Sequence, residues 1–466
     1  MIHISEISEE LPRNENILGY EKIGKLIPKF AIPAIVGMVV NAVYNMIDQV
    51  LIGWSDIGML GIGATTVSFP ITSIMTALGL LLSAGCAANF SINLGRGDKA
   101  KAGRFAGTAI SLGAVTGISL FAIAIILLKP MLVLFGSTEA IMPYAIDYTF
   151  IIIFGIPFGI LTNIFSTLIR ADGNPRYSMV CSLTGAIFNL IFDPMVLFIF
   201  KLGLKGIAFT TSFGMVITAV MGGIYVFKSF RAVRLTLDHL RVRFEETKAI
   251  VSLGIASLFN HIAMTISQII MNNTLRTYGS LSVYGSDAII ACVGSISKFA
   301  MVFGSVNIGI GQGCQPIIGF NYGAKQYGRI KQTYRTAIAA AVIFSTAVFL
   351  TYQIFPRQIL MLYGNNPDAF YDFGTRYLRI FMFMTFANCV QPITANFFTS
   401  IGKARKGLLV SMTRQILLLI PLLLILPLFL GVDGILFAGP ISDFFTVIIA
   451  LALSFHEIRH LTQSRE

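Results

Sequence analysis

Two aspartates, Asp48 and Asp193, stand inside apolar runs long enough to cross a membrane. A charged side chain at mid-bilayer costs on the order of 3 kcal/mol on insertion scales, so each needs a reason to be there. Asp48 lies about five residues from the outer end of its run, Asp193 about seven from the outer end of another, and Thr211 about seven into the next. At about 1.5 Å per residue the three share a depth. Asn189 precedes Asp193 by four residues and so occupies the same helix face, one turn away. Asn41 and Asn45 form a polar stripe with Asp48 at spacings of 4 and 3. Two carboxylates among amides take up a proton or a small cation, because burial disfavours a bare charge. Such clusters serve H⁺ and Na⁺ alike, and the choice between them stays open.

The second half of the chain is equipped differently. Its counterpart of Asn189–Asp193 reads Leu417-Leu-Leu-Ile-Pro421, and its first apolar run offers Asn260, His261, Gln268, Asn272 and Asn273 but no acid. Gln268 and Asn272, with Asn41, Asn45 and Tyr148, are candidates to line a substrate cavity. Lys298 and Asp443 lie at comparable depth and are expected to form an ion pair, with His261 a hydrogen-bonded histidine between helices. The glycine-rich stretch from Gly304 to Gly319 lacks the G-K-[ST] of a phosphate loop and points to close helix packing. All five cysteines fall in apolar stretches without a C-x-x-C pair, so neither a metal nor a redox centre is expected. No nucleophile, base and orienting group occur together. The expectation is no enzyme and no cofactor, only a coupling ion.

The elements that must position these residues follow from composition. Of 466 residues 55% are hydrophobic and only 12% charged, with a mean hydropathy of +0.78; soluble chains carry about 25% charged residues. The apolar runs predict an all-α polytopic membrane protein of twelve transmembrane helices, with cores at 28–53, 60–92, 105–128, 143–169, 178–200, 204–228, 249–275, 286–318, 333–354, 371–399, 408–429 and 434–455. Pro33, Pro70 and Pro392 mark expected bends. Lysine and arginine number 26 around the N-terminus, the even loops and the tail, against five in the odd loops. The positive-inside bias then puts both termini in the cytoplasm of a cell whose inner membrane the chain spans. The net charge of +12 belongs beside anionic lipid, not nucleic acid. Residues 1–25 read as a polar cytoplasmic segment without a cleavable signal, and 456–466 as a cytoplasmic tail.

Shifting the chain by 228 residues superposes several motifs. Asn93-Leu-Gly95 falls on Asn321-Tyr-Gly323, Thr108-Ala-Ile110 on Thr336-Ala-Ile338, Leu134-Phe-Gly136 on Leu362-Tyr-Gly364, and Gly203-Leu-Lys-Gly206-Ile on Gly431-Val-Asp-Gly434-Ile. Gly173 matches Gly402 with one residue of slip. Twelve helices therefore divide into two six-helix lobes related by an internal parallel repeat, residues 26–230 and 249–455, joined by a basic linker at 231–248. Duplicated lobes of this kind frame a central cavity with alternating access in many transporters.

Asn93-x-Gly95, Arg170-x-x-Gly173-Asn-Pro, Asn189-x-x-x-Asp193, the Gln315 to Asn321-Tyr-Gly-Ala segment and Gly402-Lys-Ala-Arg, in this order, resemble the multidrug and toxic compound extrusion (MATE) transporters, most of all the bacterial MepA-type pumps. The likeness runs from about residue 26 to 455. It implies a cation site in the first lobe at Asp48, Asn189 and Asp193, with Thr211 and Asn163 as further matches, and a helix that bends about Pro33. Other branches carry a coupling glutamate in the seventh span, which this chain lacks. The resemblance implies a monomeric secondary-active antiporter in membrane lipid, exporting cationic amphiphilic small molecules in exchange for H⁺ or Na⁺. A lipid or lipid-linked oligosaccharide flippase of related fold is the alternative, although its cavity would be expected to carry more lysine and arginine. A receptor without turnover would leave the repeat and the buried acids unexplained.

Overall fold

In a bilayer every backbone N–H and C=O must be satisfied within the chain, and long apolar runs therefore fold as helices. The computed structural model describes residues 17–55, 57–362 and 367–463, and all regular structure among them is helical. The spans are α1 (Ile23–Trp54), α2 (Gly58–Gly95), α3 (Lys99–Ile126), α4 (Met142–Ala171), α5 (Pro175–Pro194), α6 (Gly203–Ile224), α7 (Phe244–Ser280), α8 (Ser286–Gly323) and α9 (Tyr327–Ile354). They continue with α10, in the three pieces Asp368–Ile380, Thr385–Asn388 and Val390–Ser400. Next come α11 (Ala404–Met412, then Ile420–Leu430) and α12 (Val432–Gln463). Five-residue π-helical turns extend α5 and α6, and Thr413–Leu419 forms a π-helical stretch inside α11.

Eleven of the spans are uninterrupted and apolar enough to cross a membrane; the broken α10 makes the twelfth. Its break falls at Phe381–Met384, before Pro392, which sits in the first turn of the last piece, where its missing N–H leaves no bond unmade. α1 and α2, by contrast, run on as helix through Pro33 and Pro70.

The repeat is visible in the backbone itself. Adding 228 to the bounds of α2 and α3 gives those of α8 and α9, residue for residue. The turn after α2 is closed by the Asp98 N–H on the Asn93 carbonyl, and the turn after α8 by the Gln326 N–H on the Asn321 carbonyl, again 228 apart. Gly97 takes the left-handed conformation in the first (φ 81°), and Lys325 accepts it in the second (φ 58°). The counterparts Tyr363 and Gly364 of the third motif lie outside the described residues, as do 1–16 and 464–466 of the terminal segments.

Within the first lobe α1 packs on α5, and α4 on α2, α3 and α6; the second lobe repeats this with α7 on α11, and α10 on α8, α9 and α12. Between lobes, α1 lies on α8 and α7 on α2, and α2 crosses α8. At that crossing a methyl group on Gly95 would overlap the Phe320 carbonyl oxygen, and one on Gly323 would overlap that of Ile92. Only glycine allows backbones this close. Gln315 Nε2 donates to the Ala84 carbonyl (3.2 Å), Asn321 Nδ2 to that of Leu18 (2.9 Å) and Arg170 to Gln312 (3.3 Å). All of these lie toward the end that carries the basic loops. The hydrogen bond between Ser73 Oγ and His261 Nε2 (3.2 Å) lies furthest from it. Beyond, Asn45, Met46 and Val50 on α1 and Gln268, Ile269 and Asn272 on α7 are exposed. The lobes meet at one end and part at the other.

Candidate functional site

α1 and α5 pack side by side, and this contact brings Asp48 to Asp193. Asp193 is fully buried, and the Asp48 carboxyl lies within hydrogen-bonding reach of it. Thr210 Oγ1 on α6 donates to Asp193 Oδ1. Tyr44, one turn before Asp48, and Tyr148 on α4 both lie within electrostatic reach of the pair. Asn189 is buried one turn along α5 from Asp193, facing Gly214 on α6. Asn189 Oδ1 and Asp193 Oδ2 are buried without a hydrogen-bond partner among the described residues, as is Thr211 Oγ1 on α6. An unpaired buried acceptor costs about 1–3 kcal/mol, so Asn189 Oδ1 and Asp193 Oδ2, one helical turn apart on α5, need a physical reason. Hard oxygen donors of this kind suit a proton or a small hard cation. Among the described residues no cluster of three or more His, Cys, Asp or Glu side chains could hold a metal ion.

The other expected residues fall in different places. Asn45 Nδ2 bonds the carbonyl (2.7 Å) and the side chain (3.2 Å) of Asn41, and both amides are exposed on α1. Across the gap Gln268 donates to Asn272 (3.1 Å) on α7, also exposed. Asn163 does not join the acids: its Nδ2 bonds the Gly159 carbonyl (3.0 Å) and packs beside Gly79. It lies fifteen residues, about 22 Å, along α4 from Tyr148. Thr210, one residue before the expected Thr211, holds the Asp193 carboxylate. Tyr44 was findable from its spacing of four to Asp48; Thr210 was not, because a step of one residue turns a helix by 100° and only the packing of α6 fixes which threonine faces in.

The expected pair of Lys298 and Asp443 is corrected. Asp443 bonds Arg414 (2.5 Å), and Lys298 is exposed. Arg414, counted with the basic loops by sequence, lies ten residues inside α11, at the start of its π-helical stretch. Tyr377 on α10 lies within electrostatic reach of both partners.

A family model described as MatE matches residues 33–195 and 256–425. The chain belongs to the MatE family. It is therefore a multi-pass membrane transporter of a multidrug efflux family, and not an enzyme. Similar proteins include the FAD transporter of Shewanella oneidensis, 23% identical over 426 residues covering 90% of this chain and 92% of that protein. The multidrug export protein MepA of Staphylococcus aureus is 22% identical over 444 residues, 95% and 96% of the two chains. Among solved structures, an outward-facing multidrug resistance MATE family transporter of the MOP superfamily aligns with a TM-score of 0.90 at 21% identity, covering 98% of this chain and 100% of the other. A MOP superfamily transporter from Pyrococcus furiosus, described as having a binding pocket of reverse polarity, aligns at 0.88 and 21% identity, covering 96% and 98%. These likenesses bear out the two-lobe MatE fold.

Proposed function

We propose that this MatE transporter exports organic cations across the cytoplasmic membrane, with both termini inside, in exchange for inward-moving H⁺ or Na⁺. The observation that carries the reading is the acid pair Asp48–Asp193, set in one lobe, with Asp193 Oδ2 and the neighbouring Asn189 Oδ1 buried and unpartnered among the described residues. Two carboxyls at this distance need a proton or a cation between them. Arrival of that ion from the open end of the cleft neutralises the pair and releases a cationic substrate held among the amides and aromatic rings. Asn189 serves the ion, Thr210 takes the place expected of Thr211 in steadying Asp193, and α1 bends about Pro33 as the pair changes charge. Asn41, Asn45, Tyr148, Gln268 and Asn272 line the substrate path. Residues 26–230 and 249–455 act as the two moving bodies.

The relative named as an FAD transporter brings an anionic substrate into view, as does a flippase. The deep guanidinium groups argue against both here. Arg170 is spent on Ser166, Ser178 and Gln312, and Arg414 on Asp443. The test is dye-cation flux in vesicles under imposed pH or Na⁺ gradients, for wild type, Asp48→Asn and Asp193→Asn. Each variant is expected to lose gradient-driven export. Wild-type rates in both would sink the coupling role.

A further inference from the structure

The segment between the lobes lies along the first lobe instead of hanging below it. Thr108 Oγ1 donates to the Arg241 carbonyl (3.3 Å) and Ser111 Oγ to that of Leu240, fixing the short 3₁₀ turn Leu237–Leu240 against α3. Gly103 and Gly107 clear the groove it occupies: a methyl on Gly107 would overlap the His239 carbonyl, and one on Gly103 would come within 2.8 Å of Val233. Ser111 is twelve residues beyond the start of α3, so the turn is seated about 18 Å along a membrane-spanning helix. The near end is pinned by Asp172, which accepts from the backbone N–H groups of Arg231 (3.0 Å) and Ala232 (2.7 Å) and from the Tyr225 hydroxyl (2.7 Å).

Three large apolar side chains project from this strap. Leu237 is 86% exposed, Phe244 79% and Val242 52%. Cations surround them: residues 231–248 contain five against three acids. Arg241 and Arg243 share Asp238 (3.5 and 3.0 Å), while Arg231 and Arg234 are exposed and in no ion pair among the described residues. Exposed apolar side chains flanked by exposed arginines, Arg234 in no ion pair among the described residues and Arg231 within electrostatic reach of Asp172, held where a spanning helix enters the bilayer, have the chemistry of an interfacial segment.

We propose that residues 231–244 are a docking site for anionic phospholipid of the cytoplasmic leaflet. Leu237, Val242 and Phe244 lie among the acyl chains, and Arg231 and Arg234 hold the headgroup phosphates. The inference rests on the inside-positive orientation proposed above, though not on the coupling role of the acids.

Trp54 is the chain's single tryptophan, which makes a lipid reporter straightforward. In the full-length transporter, Trp54→Phe with Leu237→Trp is reconstituted into phosphatidylcholine vesicles with and without phosphatidylglycerol, brominating the acyl chains of one lipid at a time. Brominated lipid is expected to quench the new tryptophan, the anionic lipid at lower mole fraction than the neutral one. Replacing Arg231 and Arg234 together by alanine is expected to cut that preference by about 30-fold at low salt, and added salt to erode it in the parent. Val242→Trp is the second reporter should Leu237→Trp fail to fold. A folded, transporting protein whose reporters escape quenching by either lipid overturns the proposal. Equal quenching by both lipids, insensitive to salt, overturns the phosphate contact. Labelling of Thr236→Cys by an impermeant maleimide in intact cells overturns the orientation instead, a failure that the quenching data identify separately.

Discussion

Alanine at Gly95 and Gly323 tests whether the crossing of α2 and α8 is the closed gate. Each methyl must clear a carbonyl oxygen that it would otherwise overlap, and ordinary C···O contact needs about 3.3 Å. The helices must part by on the order of 1 Å, and overpacking of that kind costs about 1–3 kcal/mol. Only the arrangement with the seam shut bears this cost. Alanine also gains helix propensity, about 1 kcal/mol over glycine, but equally in both arrangements, so that gain cancels. The balance between seam-shut and seam-parted forms should therefore move by about 5- to 150-fold toward the parted form. Spin labels at Val50 on α1 and Ile269 on α7, both exposed near the open end, report it by electron–electron double resonance. The long-distance population is expected to shrink in favour of a shorter one. Gly294→Ala is the control, because a methyl there meets nothing within 4 Å. Should the double variant keep the control's distance distribution and transport rate, the crossing is not the gate.

Thr210→Val removes the hydroxyl donor from buried Asp193. A hydrogen bond to a charged group is worth about 1.5–3 kcal/mol; this one steadies the bare carboxylate, so its loss should favour the ion-loaded form, and half-activation by the proposed coupling ion should need roughly 10- to 150-fold less ion, with Thr210→Ser close to wild type. Arg414→Met strands Asp443, which is 4% exposed, and should cost about 3–5 kcal/mol in thermal unfolding. Arg414→Met with Asp443→Leu should recover most of that loss, whereas Lys298→Met should be close to neutral. Burial lifts the Asp172 carboxyl above the usual carboxylate range, against the donors that face it. The folded state thus binds that proton more tightly than the unfolded chain, and the linked stability is fullest below the ordinary carboxylate value and falls as pH rises through the lifted one. Asp172→Asn should flatten this slope in thermal unfolding measured against pH.

Periodic and local signals were legible in the sequence. Helices long enough to span a bilayer announce themselves by composition, and the 228-residue offset foretold helix bounds that recur to the residue. Asp48 and Asp193 were legible because an acid in an apolar run stands out against a uniform background. What depended on tertiary contact was not. Asn163 carries the same side chain as Asn189, yet lies far along α4 and satisfies itself on its own helix. Arg414 reads as the edge of a basic loop because fifteen mostly apolar residues follow it, and only the packing of α11 on α12 joins it to Asp443. The break in α10 was expected at Pro392 but lies upstream, where α12 comes close: a methyl on Gly439 would sit 2.7 Å from the Phe381 carbonyl.

The glycine crossing has a mechanical consequence. From Gly95 back to Gly58, α2 runs 38 residues, an arm of about 55 Å on one side of a fulcrum set almost at its end. A tilt of about 10° there sweeps the far tip through roughly 10 Å, the width of a helix. Sub-ångström play at the fulcrum is therefore magnified into a motion as large as a small molecule. At the site proposed for the ion, Asp48 and Asp193 sit far out along the neighbouring arm, where a small force acts through a long travel.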